Sequence, residues 1–287
     1  MLESRQRRLG ACMGCDRHPT GQKQQRKSMA EPIRNYQTRV APGARADAAI
    51  DQGLRAYMLK VYNLMAMGMA ITGVAALAMA MLATTNDPSQ AVATMGNGKM
   101  LTNVGYAVYA SPLRWVIMLA PLGMVFFLSA RVHKMSVSAA QTSFWIFAGL
   151  MGLSLSSIFL VYTSASIVQT FFVTAAAFGA LSLYGYTTKR DLTAMGSFLI
   201  MGVFGLIIAM VVNIFLASSA LQFAISALGV LIFSGLTAYD TQKIKEMYWE
   251  GDDVLVAGRK AIMGALTLYL DFINLFTFLL QFLGNRE

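Results

Sequence analysis

Ala261-Ile-Met-Gly-Ala-Leu-Thr-Leu-Tyr-Leu-Asp-Phe-Ile-Asn-Leu-Phe-Thr-Phe-Leu-Leu-Gln-Phe-Leu283 is a run of 23 residues in which Asp271 alone carries a charge. A helix rises ~1.5 Å per residue, so about 20 residues cross the ~30 Å hydrocarbon core of a bilayer. The run therefore reads as a transmembrane helix with one carboxyl near mid-membrane, where the hydrocarbon supplies no water to solvate it. Six stretches of similar character precede it: Tyr62 to Ala83, Leu113 to Ala130, Thr142 to Tyr162, Ile167 to Tyr186, Gly196 to Ala217 and Ala220 to Tyr239. Composition agrees, since 56% of the 287 residues are hydrophobic and only 13% are charged, about half the charged share of a soluble domain. An ordinary soluble enzyme, a disordered regulator and a DNA reader are excluded. The expected architecture is an all-α integral membrane protein with seven transmembrane helices.

The net charge of +9 is a property of the N-terminal segment, because residues 1 to 60 hold 12 of the 23 Lys and Arg and 5 of the 14 acids. A basic tail beside a first span sets topology or touches anionic lipid, and without interleaved aromatics it gives no nucleic-acid signature. We divide the chain into this largely disordered tail, residues 1 to 60, and a membrane domain, residues 61 to 287. Cys12, Cys15 and His18 lack a second ligand pair for zinc, and no apolar segment precedes Cys12 to make it a lipoprotein site. Met29-Ala-Glu-Pro-Ile reads as a natural start, with residues 1 to 28 an extension of the gene model. No cofactor is expected.

Lys and Arg in the short links set the orientation. Arg55 and Lys60, Arg131 and Lys134, Lys189 and Arg190, and Lys243 to Lys260 fall on one side of the membrane. That side is expected to be cytoplasmic, with the N-terminus there and the C-terminus outside. Small residues such as Gly149, Gly152 and Ser156, or Gly202 and Gly205, read as helix-packing faces.

An ionisable side chain within a span costs about 2.5 to 3.5 kcal/mol at mid-helix, so each is a functional candidate. Asp271 lies within the seventh span, Asp240 ends the sixth and Arg131 closes the second. No span interior holds a lysine for a retinal Schiff base, or a histidine for haem or for a serine protease. Asn274 and Thr267 share the Asp271 face at helical spacing. If Asp240 approaches Asp271, the two carboxyls titrate as a unit, with Arg131 free to pair with whichever is ionised. Asp240 at the end of its span and Asp271 ~15 Å deep meet only if the sixth helix extends or tilts, or the seventh begins early.

At these residues the chain resembles the Bax inhibitor 1 family, the transmembrane Bax inhibitor motif proteins, in its bacterial branch, over about residues 35 to 287. The segments that carry the resemblance are Ser129-Ala-Arg-Val-His-Lys-Met-Ser136, Leu153-Ser-Leu-Ser-Ser-Ile158, Leu183-Tyr-Gly-Tyr-Thr-Thr-Lys-Arg-Asp-Leu192, Asn213-Ile-Phe215, Gly235-Leu-Thr-Ala-Tyr-Asp-Thr-Gln-Lys-Ile244 and Leu268-Tyr-Leu-Asp-Phe-Ile-Asn-Leu-Phe276. The last two are the most specific. The resemblance implies six helices around a central seventh and a pH-sensitive calcium leak governed by an aspartate dyad, here Asp240 and Asp271, with Arg131 as a basic latch. It also implies a stress-regulator role and, in bacteria, partnership with a membrane protease, in an inner membrane. Calcium favours six to eight oxygens, so two carboxylates with Asn274 and carbonyls would hold it weakly, as suits a leak. A proton-coupled or unselective cation path fits the same residues.

Two other readings compete. A membrane regulator acting through a protein partner would need no conduction. An intramembrane aspartyl protease would use Tyr239-Asp240 and Asp271 to share a proton and activate water. That protease family, however, resembles Gly-x-Gly-Asp where this chain has Leu268-Tyr-Leu-Asp271. Bulk stands where a substrate backbone needs room.

Overall fold

The computed structural model describes residues 42–96 and 98–285, with side chains from Asp51 onward. The expectations for the basic tail before Pro42, for Cys12, Cys15 and His18, and for an extension over residues 1 to 28 lie outside the described residues. Seven helices are long and apolar enough to cross a membrane. They are α1 (Pro42–Ala83), α2 (Leu113–Arg131), α3 (Val137–Leu155), α4 (Ser164–Thr187), α5 (Thr193–Leu216), α6 (Ser219–Glu246) and α7 (Val254–Leu283). Helix α1 takes in residues 42 to 60, the last part of the segment that composition places in the tail, and its Tyr57 and Met58 are buried.

Polar residues between the apolar runs decide where the helices start. Ser136 Oγ accepts the Ala139 amide at 3.2 Å, Thr163 Oγ1 the Ser166 amide at 3.2 Å and Ser218 Oγ the Leu221 amide at 3.3 Å. Each satisfies an N–H that the first helical turn leaves without a partner. Helix α3 stops short of its expected end. Ser156 is fully buried and donates back to the Leu153 carbonyl at 2.5 Å, and the chain resumes as one helical turn, Ile158–Val161. A serine hydroxyl that bonds its own backbone offers an alternative to the helix ladder. Tyr109 Oη meets the same Ser156 hydroxyl at 2.7 Å.

The long link after α1 is not wholly helical. Strands β1 (Thr84–Thr85), β2 (Ala93–Thr94) and β3 (Met100–Leu101) make a small antiparallel sheet in the order β1-β3-β2. Lys99 Nζ, on its border, donates to the Phe159 carbonyl at 2.7 Å, tying the link to the broken end of the third span.

Helix α7 is the most enclosed element: 67% of its membrane-length window is buried, against 11% to 39% in the other six. It packs chiefly against α1, α3, α4 and α6, while α2 lies on α3 and α5 on α6. Its Tyr269 is fully buried, edge-on to Phe144 and Phe147 at 5.8 and 5.4 Å between centroids. The Tyr269 hydroxyl meets Thr72 Oγ1 at 2.6 Å, and that oxygen also donates to the Ala148 carbonyl of α3. One buried phenol thus joins three helices.

Candidate functional site

The depth mismatch expected between the aspartates does not arise. Helix α6 runs on to Glu246, so Asp240 lies within it rather than at its end, and α7 begins at Val254, well before Ala261. The two helices run antiparallel from a short link and bring Asp240 and Asp271 face to face, within range of a carboxyl–carboxyl hydrogen bond. Such a bond exists only while one of the two carries a proton. Without it, Asp271, 5% exposed, keeps a buried Oδ2 that has no hydrogen-bond partner among the described residues. A buried carboxylate with nothing to pair it is among the costliest groups a protein can hold.

The other expected residues are placed differently. Arg131 is exposed at the end of α2, and its side chain makes no hydrogen bond or ion pair among the described residues. Another cation, Lys243, stands three residues on from Asp240 along the same helix, with its Nζ 5.8 Å from the centre of the Tyr239 ring. Spacing alone would have found Lys243. Asn274 donates to the Leu270 carbonyl of its own helix at 2.9 Å. Among the described residues no three His, Cys, Asp or Glu side chains cluster as a metal site.

A chain of hydroxyls lies beside the pair. Tyr62 Oη meets Ser182 Oγ at 2.6 Å, Ser182 Oγ meets Thr241 Oγ1 at 3.0 Å, and Thr241 Oγ1 donates to the Thr237 carbonyl at 2.7 Å. It links α1, α4 and α6 one residue along from Asp240. Its outer end lines a cavity of about 560 Å³ with Arg55 and Tyr186 on the wall. These hydroxyls escaped the sequence reading because Ser and Thr are unremarkable in an apolar helix until a partner is known.

Glycine sets the spacing here. A Cβ at Gly185 of α4 would run into the Ala238 carbonyl of α6. The two backbones touch two residues before Asp240, fixing its depth and direction.

Comparison with known proteins agrees with these motifs. The family model described as Inhibitor of apoptosis-promoting Bax1 matches residues 54–287. The chain is 47% identical over 237 residues to a protein of Rickettsia prowazekii, covering 83% of this chain and 92% of that one. It is 47% identical over 251 residues to a protein of Caulobacter vibrioides, covering 87% and 96%. To the inner membrane protein YbhL of Escherichia coli it is 44% identical over 237 residues, covering 82% and 94%. With seven membrane-length helices, the chain belongs to the Bax inhibitor 1 family of membrane proteins.

Proposed function

We propose that the chain is a cation leak of an inner membrane, passing calcium among its ions, gated by the proton state of Asp240 and Asp271. The observation that carries this reading is the approach of the two carboxyls between α6 and α7, the most enclosed helix of the seven. A shared proton holds α6 and α7 together there; its loss sets two negative charges side by side, with Lys243 the competing cation. The inner membrane follows from the likeness to YbhL, and the basic links put the N-terminus on the cytoplasmic side.

The aspartyl protease reading loses support from the same helix. Leu268, a bulky side chain where that family resembles glycine, and Tyr269 are fully buried beside Asp271. A regulator that works through a partner such as a membrane protease makes no use of the buried contact.

The test is calcium flux into liposomes holding the purified chain, at a series of pH values, with wild type beside Asp240→Asn and Asp271→Asn. We expect a pH-dependent flux that flattens in both variants. Absence of flux at every pH would leave the carboxyls structural and favour the partner-dependent regulator.

A further inference from the structure

The seam between α6 and α7 continues past the aspartates. Seven residues from the pair on each helix, in opposite directions along the chain, stand Phe233 and Phe278. Their rings stack with centroids 5.7 Å and planes 24° apart, and both are buried. Phe278 also lies on Gly229 of α6, where a Cβ would come within 2.5 Å of the ring. Glycine is what lets the ring fill the seam from backbone to backbone.

Beyond the rings the seam turns polar again. Gln222 Nε2 donates to Gln281 Oε1 at 2.8 Å, and Ser226 Oγ approaches the same oxygen at 3.3 Å. Asn213 Nδ2, from α5, donates to Gln222 Oε1 at 3.1 Å, and Asn213 Oδ1 accepts the Ser218 amide at 3.1 Å. Three carboxamides from three helices converge on one spot. Along α7 the Phe278 ring lies about 10 Å and Gln281 about 15 Å from Asp271 by helix rise.

Adhesion between membrane helices asks only for small residues and a few hydrogen bonds. It does not ask for two polar layers with a stacked aromatic plug between them, which is the arrangement that stops an ion when an apolar constriction excludes water. We infer that this seam is the ion's route, that Phe233 and Phe278 form a hydrophobic gate in series with the aspartates, and that Gln222, Gln281, Asn213 and Ser226 form a neutral oxygen site for a partly dehydrated cation beyond it. The inference rests on the cation-leak reading above. In the closed seam each carboxamide oxygen is already occupied by an N–H or O–H donor. Rotation of the amides exchanges those donors for a cation, and neutral oxygens hold calcium loosely enough for it to leave. The aspartates then govern whether α6 and α7 part, and the aromatic pair is what their parting opens.

The test uses the full chain in liposomes, with calcium flux and potassium flux measured separately across the pH series for wild type, Phe278→Ala, Phe278→Leu and Gln281→Leu. Phe278→Ala is expected to conduct at the pH where wild type conducts least and so to lose its pH dependence; Phe278→Leu, a gentler change, loses part of it. Gln281→Leu is expected to keep the pH profile while the ratio of calcium to potassium flux falls. A wild-type profile in both Phe278 variants, each eluting as monodisperse protein, overturns the gate. An unchanged ion ratio in Gln281→Leu overturns the oxygen site. A wild type silent at every pH overturns the cation-leak reading and this inference with it, whereas a conducting, pH-dependent wild type beside inert variants overturns the inference alone.

Discussion

Helices α5 and α7 are both membrane-length, and they are built on opposite terms. Helix α5 is the most apolar of the seven and the least buried, 11% of its window against 67% for α7. Its Phe215 is 83% exposed. In water such a face would drive association; in a bilayer it meets lipid tails as apolar as itself. Helix α7 carries Thr267, Asp271, Asn274, Thr277 and Gln281 among its apolar residues, and four helices cover it. Within a membrane chain, apolarity marks contact with lipid and interspersed polarity marks contact with protein.

The largest effect expected from this contrast is on stability. Tyr269→Ala removes a fully buried ring wedged between Phe144 and Phe147, together with its bond to Thr72, and should cost about 3 to 5 kcal/mol, as large-to-small changes of buried aromatics do. Phe215→Ala on α5 exchanges one lipid contact for another and should stay within about 0.5 kcal/mol. Thermal unfolding in detergent, comparing both variants with wild type, checks the pair. If Phe215→Ala were equally costly, the outer face of α5 would be a protein interface and the contrast would break.

The seven spans were legible because length and apolarity suffice to find them, and Asp240 and Asp271 were legible because charge within a span is rare. The enclosure of α7 follows from the same polarity, although composition does not say which helices cover it. Other features depend on partners distant in sequence. The break at Ser156 arises where a buried hydroxyl finds both its own backbone and Tyr109, 47 residues away. The small sheet after α1 lies in two-residue strands too short for any periodicity. Arg131 and Lys243 illustrate the same limit: position in a motif drew attention to the first, whereas the second, three residues from Asp240 on its own helix, lies over the Tyr239 ring.

Glycines sharpen the contrast at a smaller scale, and with opposite signs. Gly185→Ala on α4 forces a methyl group against the Ala238 carbonyl and should destabilise by about 1 to 3 kcal/mol, the cost of overpacking. Gly205→Ala on α5 meets nothing within 4 Å and should be neutral or stabilising by up to about 1 kcal/mol, since alanine is the better helix former. Because Gly185 also sets the approach of α6, its variant should shift the pH profile of flux as well as the melting temperature. A Gly205 variant that did either would show that α5 is gripped by protein on that side.

The smallest effect lies where these helices meet water. Asp191, exposed before α5, accepts the Thr193 amide at 2.8 Å, and the Thr193 hydroxyl and N–H hold its carboxyl below the ordinary range. A group whose folded value is depressed stabilises above its unfolded value, about 3.9 for Asp, and that contribution fades as pH falls through the folded value. Asp253, which opens α7, makes no side-chain capping bond. The melting temperature of Asp191→Asn should thus lie slightly below wild type at neutral pH and converge with it in acid, whereas Asp253→Asn should track wild type throughout. A gap for Asp191→Asn that persists unchanged into strong acid would trace it to packing of the link. Convergence would trace it to the charge, and would place the anchoring of α5 at its solvated end while that of α7 runs along its buried length.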